Sequence, residues 1–501
     1  MIRRVLIANR GEIARRVIRT CREMGLTSIA VYSDADAGAP HVREADEAVA
    51  IGPAPSTESY LNVARVVDAA RGGRADAVHP GYGFLSENPA FADACEAAGL
   101  VFVGPPAAVM RRMGSKTGAR ALVSAAGVPV VPGVTPASQT ERDITAAAAS
   151  VGFPVLLKAA RGGGGKGMRT VRSAADLAEA IGAARREAER SFGDGSLYVE
   201  RLVDRPRHIE VQIFADAHGG LVHLFERDCT LQRRHQKVIE EAPAPGLTPA
   251  ARDRLTGAAL AAARAVGYVN AGTVEFLVEG DGDDARFYFL EMNMRLQVEH
   301  PITEAITGLD LVRAQLLVAS GERLPFSQGD LAIRGHAIEC RVYAEDSRRL
   351  LPQSGRIVRY REPGGPGIRV DAGVVAGQTV TVHYDPLLAK LITHGASRAE
   401  ALQRMRQAVR EYEILGLRHN LAFLRTVLDR DEVRTARVWT TFLEEKLEAL
   451  VPAPSTETRR AAAAFAAFAA TREPAPAVDV TDDAAGARHV DPWDQLGPVA
   501  W

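Results

Sequence analysis

About the first 110 residues alternate short apolar segments with segments of helical periodicity, and this alternation most restricts the fold. The apolar segments occupy positions 4–8, 28–33, 75–79 and 100–104. Strands that alternate with helices form a parallel sheet that is covered on both faces. The turn after the first segment contains one glycine, Gly11, where dinucleotide-binding folds carry G-x-G-x-x-G. The sequence therefore predicts a doubly wound α/β domain without an NAD site.

Size and charge exclude several functional classes. A chain of 501 residues is expected to form roughly three domains. Its net charge of −1 provides no basic field for nucleic acid or for a membrane surface. The four cysteines lie too far apart for a zinc site, and no apolar run reaches the length of a signal peptide or a membrane span. We therefore expect a cytoplasmic protein that binds neither nucleic acid nor membranes.

Lysine is rare in this chain, because arginine supplies almost all of its 61 basic residues. The six lysines are Lys116, Lys158, Lys166, Lys237, Lys390 and Lys446. A lysine offers a compact and mobile ammonium, which arginine does not. We therefore expect several of these lysines to lie in functional sites, although chance survival in an arginine-biased composition is the alternative.

A glycine-rich segment at 161–168 follows a predicted strand that ends at Lys158. Four consecutive glycines leave backbone N–H groups free to approach phosphate oxygens, and Lys166 adds a positive charge. A Walker loop would require glycine at 160 and serine or threonine at 167, where the chain has Ala160 and Gly167. The segment predicts a different phosphate-binding loop, with the flexibility of a lid. A plain flexible linker is the alternative.

Two predicted strands, at 273–279 and 287–293, flank a turn rich in glycine and aspartate. If the hairpin is centred on residue 283, Glu275 lies opposite Glu291 at about 5 Å between Cβ atoms, and Asn293 shares their face. Such oxygen ligands suit Mg²⁺ or Mn²⁺ shared with substrate phosphates. The alternative is a pair of solvent-facing glutamates on an edge hairpin.

The segments 226–237 and 295–301 are dense in hydrogen-bond donors and flank the predicted metal hairpin. Lys237, Arg295 and Gln297 could together hold a small anion. Glu299 is a candidate general base. Arg341, on another predicted strand, is a candidate for stabilising a developing oxyanion.

Several long motifs in this order resemble those of biotin carboxylase, a member of the ATP-grasp superfamily, over positions 1 to about 447. The motifs are Ile7-Ala-Asn-Arg-Gly-Glu-Ile13, His79-Pro-Gly-Tyr-Gly-Phe-Leu-Ser-Glu-Asn88, Gly162–Met168, Gln232-Arg-Arg-His-Gln-Lys-Val238, Glu240-Glu-Ala-Pro-Ala-Pro245 and Asn293–Pro301. The stretch from Val382 to Leu391 is more similar to acyl-CoA carboxylase α-chains than to the short bacterial acetyl-CoA form.

The resemblance implies a role for each matching residue. The residues that would contact ATP are Lys116, Lys158, Gly163, Gly164, Gly165, Lys166, Gly167, Met168, Glu200, His208, Gln232 and His235. Those that would hold Mg²⁺ or Mn²⁺, as two ions, are Glu275, Glu291 and Asn293. Those that would bind bicarbonate are Lys237, Arg295, Gln297 and Val298. Glu299 would deprotonate bicarbonate, Arg341 would stabilise the biotin enolate, and Tyr82 would lie near biotin.

The resemblance also implies the fold class and the domain organisation. A Rossmann-like pre-ATP-grasp domain would span 1–114, and an ATP-grasp domain would span 115–330, with its mobile lid at about 131–203. A mainly antiparallel C-terminal domain would span 331–449. We read 450–501 as an Ala/Pro-rich tail.

The implied reaction is ATP- and bicarbonate-dependent carboxylation of biotin through carboxyphosphate, the first half-reaction of an acyl-CoA carboxylase. None of the eight methionines is followed by lysine, the pair that carries biotin, so we expect a separate biotin carboxyl carrier protein and separate carboxyltransferase subunits. A homodimer or larger assembly is expected.

Trp493 and Trp501 suggest that the tail docks on a partner or on the chain's own body. The alternatives are another ATP-grasp ligase, such as a carbamoyl-phosphate synthetase half or an amino-acid ligase, and a non-catalytic ATP-binding regulator.

Overall fold

The computed structural model describes residues 2–160, 167–451 and 456–471. Its N-terminal part is a five-stranded parallel sheet of order β3-β2-β1-β4-β5. The strands β1 to β5 are Arg4–Ile7, Thr27–Ser33, Glu47–Gly52, Ala77–His79 and Val101–Phe102. The helices α1 to α6 are Gly11–Glu23, Pro40–Glu44, Val63–Gly72, Pro89–Ala97, Ala107–Met113 and Lys116–Ala125. The predicted parallel sheet is confirmed.

The sequence did not predict β3. This strand forms one edge of the sheet, and most of its side chains remain exposed or partly exposed. Its apolar pattern is therefore weak, because an edge strand buries less of its surface than a central one.

The segment around the glycine loop forms a separate antiparallel sheet of order β6-β9-β7-β8. The strands β6 to β9 are Gly133–Val134, Val155–Ala159, Arg169–Val171 and Leu197–Arg201, and the helices α7 and α8 are Glu141–Val151 and Leu177–Phe192. Its own apolar core includes Ile144, Leu157 and Val199. A 3₁₀ turn, Ala174–Asp176, precedes α8, and the Ser173 hydroxyl donates to Asp176 Oδ2 at 2.8 Å instead of capping the helix backbone.

An eight-stranded antiparallel sheet forms the centre of the molecule, in the order β14-β13-β10-β11-β12-β15-β22-β20. The strands β10 to β15 are Arg207–Ala215, Leu221–Arg233, Gln236–Ala242, Asn270–Glu279, Arg286–Asn293 and His336–Tyr343. The strands β16 to β23 are Glu345–Asp346, Leu351–Pro352, Gly355–Arg356, Arg359–Arg361, Ile368–Ala372, Thr379–Val380, Leu387–Gly395 and Glu413–Leu415. The sheet continues across the predicted boundary between 330 and 331.

Helices pack on this sheet and on the strands of the C-terminal part. The helices α9 to α17 are Pro249–Val266, His300–Thr307, Leu311–Ala319, Arg398–Glu411, Leu421–Leu428, Asp431–Arg434, Phe442–Glu445, Leu447–Leu450 and Thr456–Thr471. The side chains of Thr248 and Ser397 cap the N-termini of α9 and α12. Among the described helices, none is long and apolar enough to cross a membrane. Trp493 and Trp501, on which the docking prediction rests, lie outside the described residues.

Candidate active site

The hairpin of β13 and β14 places the predicted metal ligands on one face. Glu275 pairs with Glu291, and Thr273 pairs with Asn293, so the predicted register is confirmed. A bulge directly beyond Glu275 shifts the pairing in the rest of the hairpin. Glu275 is buried, and the Asn293 amide donates to its Oε1 at 2.8 Å. The interpretation of an exposed edge pair is therefore wrong for Glu275.

Lys237, on β12, joins three buried carboxylates. Its ammonium donates to Glu275 Oε1 at 2.8 Å, to Glu299 Oε1 at 2.7 Å and to Glu210. Burial disfavours the charged form of Glu275, but Lys237 and His208 hold the pKa of that carboxyl well below its usual range. Glu275 is therefore ionised, and Lys237 provides the positive charge that a metal ion would otherwise supply.

The donor set of the hairpin fits a divalent cation. Glu275 and Glu291 supply carboxylate oxygens, and Asn293 supplies an amide oxygen, all of which Mg²⁺ accepts. The Asn293 oxygen accepts from Arg295 Nη2 at 3.2 Å, and rotation of the amide would turn it towards the carboxylates. His208 Nε2 lies 3.0 Å from Glu275 Oε2, the oxygen that Lys237 and Asn293 do not contact.

Glu299 is fully buried and is held by cations on two sides. Arg341 Nη2 donates to its Oε2 at 2.9 Å, while Lys237 contacts Oε1. Burial alone would raise the pKa of Glu299, but Lys237, Arg341 and Arg227 hold it well below its usual range. Glu299 is therefore a weak base in this arrangement. An anion that binds these cations would raise its pKa and make it a stronger base.

Arg341 lies between two buried carboxylates. Besides Glu299, it contacts Glu240, whose Oε1 accepts from Arg341 Nε at 2.5 Å. Burial raises the pKa of Glu240 to about 7, although Arg341 lowers it. The guanidinium is thus fixed by hydrogen bonds from two of its nitrogens.

Three of the predicted anion ligands, Arg295, Gln297 and Val298, lie in the segment between β14 and α10. Arg295 donates to Glu87 Oε2 at 3.0 Å and to Gln297 Oε1 at 3.1 Å. The Gln297 amide nitrogen is buried and has no hydrogen-bond partner among the described residues. The Val298 carbonyl accepts from Lys390 at 3.0 Å. An unsatisfied buried donor beside Arg295 matches a small anionic acceptor such as bicarbonate.

Two of the predicted nucleotide ligands meet on the lid sheet. Lys158 and Glu200 are buried and lie 2.5 Å apart, from Nζ to Oε2. Glu200 Oε1 also accepts from Arg120 at 2.9 Å and from the Tyr198 hydroxyl at 2.8 Å. These contacts fix Lys158 next to the strand end from which the glycine loop starts.

The other predicted nucleotide ligands are more dispersed. Gln232 Nε2 and His208 Nδ1 lie 3.2 Å apart across β10 and β11, while His235 lies exposed on the turn between β11 and β12. Gly167 has a left-handed φ of 70° and Met168 follows it. Lys116 is the first residue of α6, and its side chain lies outside the described part. The loop residues Gly163, Gly164, Gly165 and Lys166 lie outside the described residues.

Tyr82 lies near the junction of the N-terminal and C-terminal parts. Its hydroxyl donates to Glu12, and its ring centroid lies 5.9 Å from the Lys390 ammonium. Burial raises the pKa of Glu12 to about 7, although Lys390 lowers it.

Three functional candidates received no role from the sequence: Glu210, Arg227 and Glu87. Arg227 is fully buried and donates to Glu210 at 2.6 Å, and Glu210 in turn contacts Lys237. Glu210 lies in the stretch 209–215 of β10, which is mostly apolar, and this is an available signal, because a buried charge requires a partner. Glu87 lies in the motif His79–Asn88, but nothing in that motif indicates its contact with Arg295, which it makes from a loop of the N-terminal part.

Comparisons with known proteins match most of the chain. A family model described as "Biotin carboxylase, N-terminal domain" matches residues 1–110, and one described as "Biotin carboxylase C-terminal domain" matches residues 339–445. Between them, "Carbamoyl-phosphate synthase L chain, ATP binding domain" matches residues 115–327. Biotin carboxylase 2 of Bacillus subtilis is 49% identical over 450 residues, which cover 89% of this chain and 100% of that protein.

The chain belongs to the biotin carboxylase family. The family consists of ATP-dependent ligases, and the resemblance carried by the motifs is confirmed. The mouse (Mus musculus) mitochondrial methylcrotonoyl-CoA carboxylase subunit alpha is 50% identical over 457 residues, which cover 91% of this chain. The chain spans 63% of the length of that subunit.

The fold class is confirmed by solved biotin carboxylase structures. The biotin carboxylase domain dimer of Hydrogenobacter thermophilus 2-oxoglutarate carboxylase, in complex with MgADP, ADP and bicarbonate, matches with a TM-score of 0.86 at 42% identity. The match covers 91% of this chain and 100% of that one. The Campylobacter jejuni biotin carboxylase in a β-γ-ATP complex also matches with a TM-score of 0.86 at 42% identity, and covers 89% and 99% of the two chains.

Proposed function

We propose that this chain carboxylates biotin on a separate carrier protein, using ATP and bicarbonate, as the first half-reaction of an acyl-CoA carboxylase. The observation that carries the proposal is the position of Glu299. Its carboxylate is fully buried between Lys237 and Arg341, and Lys237 also reaches the hairpin carboxylate Glu275. One base therefore adjoins both a cation-binding hairpin and a fixed guanidinium.

The first step uses the anion-binding segment. Lys237, Arg295, Gln297 and the backbone of Val298 hold bicarbonate, and Glu299 takes its proton. A bicarbonate oxygen then bonds to the γ-phosphorus as the bond to ADP breaks, which gives carboxyphosphate and ADP. Bicarbonate competes with Glu299 for the Lys237 ammonium, so that the carboxylate becomes a better base as its substrate binds.

The second step uses Arg341. Carboxyphosphate splits into CO₂ and phosphate, and the phosphate takes the proton from the biotin ring nitrogen. Arg341 stabilises the negative oxygen of the biotin enolate, and the nitrogen then attacks CO₂. Tyr82 lies beside the biotin ring. Because Glu240 and Glu299 both hold Arg341, its guanidinium needs little reorganisation when the charge develops.

The nucleotide lies between the lid and the central sheet. Lys116, Lys158, Glu200, His208, Gln232 and His235, together with the glycine loop from Gly163 to Met168, contact ATP. Glu275, Glu291 and Asn293 hold two Mg²⁺ or Mn²⁺ ions, which offset the charge of the phosphate oxygens. The lid at about 131–203 has its own sheet and apolar core, which suits a unit that moves as a body over the nucleotide.

The domain division and the assembly are parts of the same proposal. The pre-ATP-grasp domain spans 1–114, the ATP-grasp domain 115–330 and the C-terminal domain 331–449. The partners are a biotin carboxyl carrier protein and carboxyltransferase subunits. A homodimer is supported by the related Hydrogenobacter thermophilus domain, which is described as a dimer. A cytoplasmic location stays a prediction from composition.

The test is steady-state ATP hydrolysis by the purified chain with Mg²⁺, with and without bicarbonate and free biotin. We expect hydrolysis that requires bicarbonate and increases with biotin, and a Glu299→Gln variant that lacks both responses. Equal rates with and without bicarbonate would overturn the proposal. Hydrolysis that depends on ammonia or on an amino acid instead would identify another ATP-grasp ligase, and nucleotide binding without hydrolysis would identify a regulator.

A further inference from the structure

Lys390 is a fully buried lysine to which none of the roles above is assigned. It lies in the middle of β22, where it pairs with Arg341 on β15 and with Asp371 on β20. A buried ammonium loses several kcal/mol of hydration, so it persists only where its partners are well placed. A methionine or leucine would fill the same space at lower cost, which makes the charge itself informative.

The Lys390 ammonium contacts three separate segments of the chain. It donates to the Val298 carbonyl at 3.0 Å and lies 3.1 Å from Glu12 Oε2 and 3.9 Å from Asp371 Oδ2. Glu12 belongs to α1 of the N-terminal sheet domain, and Val298 belongs to the segment that leads into α10. One side chain thus joins the N-terminal part, the anion-binding segment and the C-terminal strands.

Two of these contacts lead to residues of the proposed reaction. Glu12 accepts the hydrogen bond of the Tyr82 hydroxyl, so Lys390 and Tyr82 hold the two oxygens of one carboxylate. Val298 directly precedes Glu299, so the bond to its carbonyl restrains the backbone that carries the base. Tyr82 and Glu299 lie in different parts of the chain, and among the described contacts Lys390 is the group that connects them.

We propose that Lys390 is a positioning residue, which holds Tyr82 through Glu12 and Glu299 through the Val298 carbonyl so that biotin and bicarbonate meet beside Arg341. This inference rests on the proposed function for the roles of Tyr82 and Glu299. It assigns Lys390 no contact with substrate. Its effect should therefore appear in the use of biotin and bicarbonate, and not in the binding of ATP.

The test is Lys390→Met in the full chain, compared with Arg369→Met as a matched control. Arg369 lies in the same charged junction and contacts Asp371 and Glu304, but it reaches neither Glu12 nor Val298. For Lys390→Met we expect the KM for free biotin to rise, so that kcat/KM for biotin falls on the order of tenfold, the scale of one lost charged hydrogen bond. We expect a fall for bicarbonate too, an unchanged KM for ATP, and wild-type values for Arg369→Met.

A double variant separates positioning from stability. If Lys390 acts on Tyr82 through Glu12, Glu12→Gln should reduce biotin use less than Lys390→Met does, and the double variant should be no worse than Lys390→Met alone. Glu12→Gln keeps an acceptor for the Tyr82 hydroxyl, so it also tests the inference if Lys390→Met fails to fold.

Three outcomes would overturn the inference. A uniform loss of kcat with unchanged KM values would reduce Lys390 to a structural residue, and fully additive effects would remove Glu12 from the pathway. Wild-type biotin use in Lys390→Met would exclude the role outright. These comparisons require that biotin stimulates ATP hydrolysis by the wild-type protein. If it does not, the proposed function is overturned, and this inference with it.

Discussion

Arg341 Nη2 and Glu299 Oε2 form a buried ion pair at 2.9 Å, between a strand of the C-terminal part and the start of α10. The pair joins the group proposed to stabilise biotin to the group proposed to deprotonate bicarbonate. Each partner is also held by a second residue, Glu240 for Arg341 and Lys237 for Glu299. The two steps of the proposed reaction thus share one continuous network of charged groups. Binding of an anion to this network changes the pKa of the base Glu299.

Replacement of Arg341 by serine should stop biotin carboxylation and leave the nucleotide site intact. Loss of one preorganised donor to an oxyanion commonly reduces turnover about 10²–10³-fold. We expect at least that loss in biotin-stimulated ATP hydrolysis, with ATP binding by calorimetry unchanged. Arg418→Ser, at an exposed arginine of the same C-terminal part, is the matched control. Loss of ATP binding in Arg341→Ser would show that the guanidinium serves phosphate instead of biotin.

Glu291→Gln should weaken Mg²⁺ binding more than it changes the stability of the fold. Glu291 lies opposite Glu275, so the change relieves like-charge repulsion while it removes a metal ligand. Loss of a hydrogen-bond partner of a ligand already weakens metal binding about 10–100-fold, so the Mg²⁺ concentration for half-maximal turnover should rise at least about tenfold. The measurements are a Mg²⁺ titration of activity and a melting curve. Glu279→Gln, on the same hairpin but paired with Arg201 and Arg286, should behave like the wild type. Normal Mg²⁺ dependence in Glu291→Gln would contradict the ligand assignment.

The register of the metal hairpin was predictable because it is local. Turn residues and an alternation of period two align Glu275 with Glu291 without reference to the rest of the chain. The network around Lys237 was not predictable in this way. Glu210 on β10 and Lys237 on β12 are separated by β11. Their contact therefore depends on how these three strands pair in the sheet. The same reason hid Glu87 and the continuity of the central sheet, since both arise from pairings between distant segments.

Glu241 should make stability depend on acidity. His336 and Arg398 contact its carboxylate at 2.8 and 2.7 Å, and together they lower the pKa of Glu241 to about 2 although burial opposes this. Because the folded-state pKa lies below the unfolded value, the stabilisation is complete above about pH 4.5 and is lost as the pH falls towards 2. Its full size is about 3 kcal/mol.

The corresponding measurement is urea unfolding of the wild type and Glu241→Gln. The stability gap between them should be widest at about pH 7 and should narrow by roughly 0.8 kcal/mol at about pH 4. Glu322→Gln, at an exposed glutamate, provides a control. Its free energy of unfolding should stay close to that of the wild type at both pH values. A gap that widens towards acid pH would reverse the sign argued for Glu241.

Lys237→Met should destabilise the protein and make its stability depend on Mg²⁺. Removal of the ammonium leaves Glu210, Glu275 and Glu299 without their shared cation. Loss of one partner of a buried ion pair typically costs about 3–5 kcal/mol, so the melting temperature should fall, and turnover should be lost with the bicarbonate site.

Mg²⁺ binds at the Glu275 hairpin in the folded state only. It should therefore raise the melting temperature of Lys237→Met more than that of the wild type, where the Lys237 ammonium competes with the metal ion. Lys446→Met, at a lysine outside the site, should respond to Mg²⁺ as the wild type does. If Mg²⁺ raised the melting temperatures of Lys237→Met and the wild type equally, Lys237 and the metal ion would not compete for the Glu275 carboxylate. The metal ion would then bind elsewhere on the hairpin.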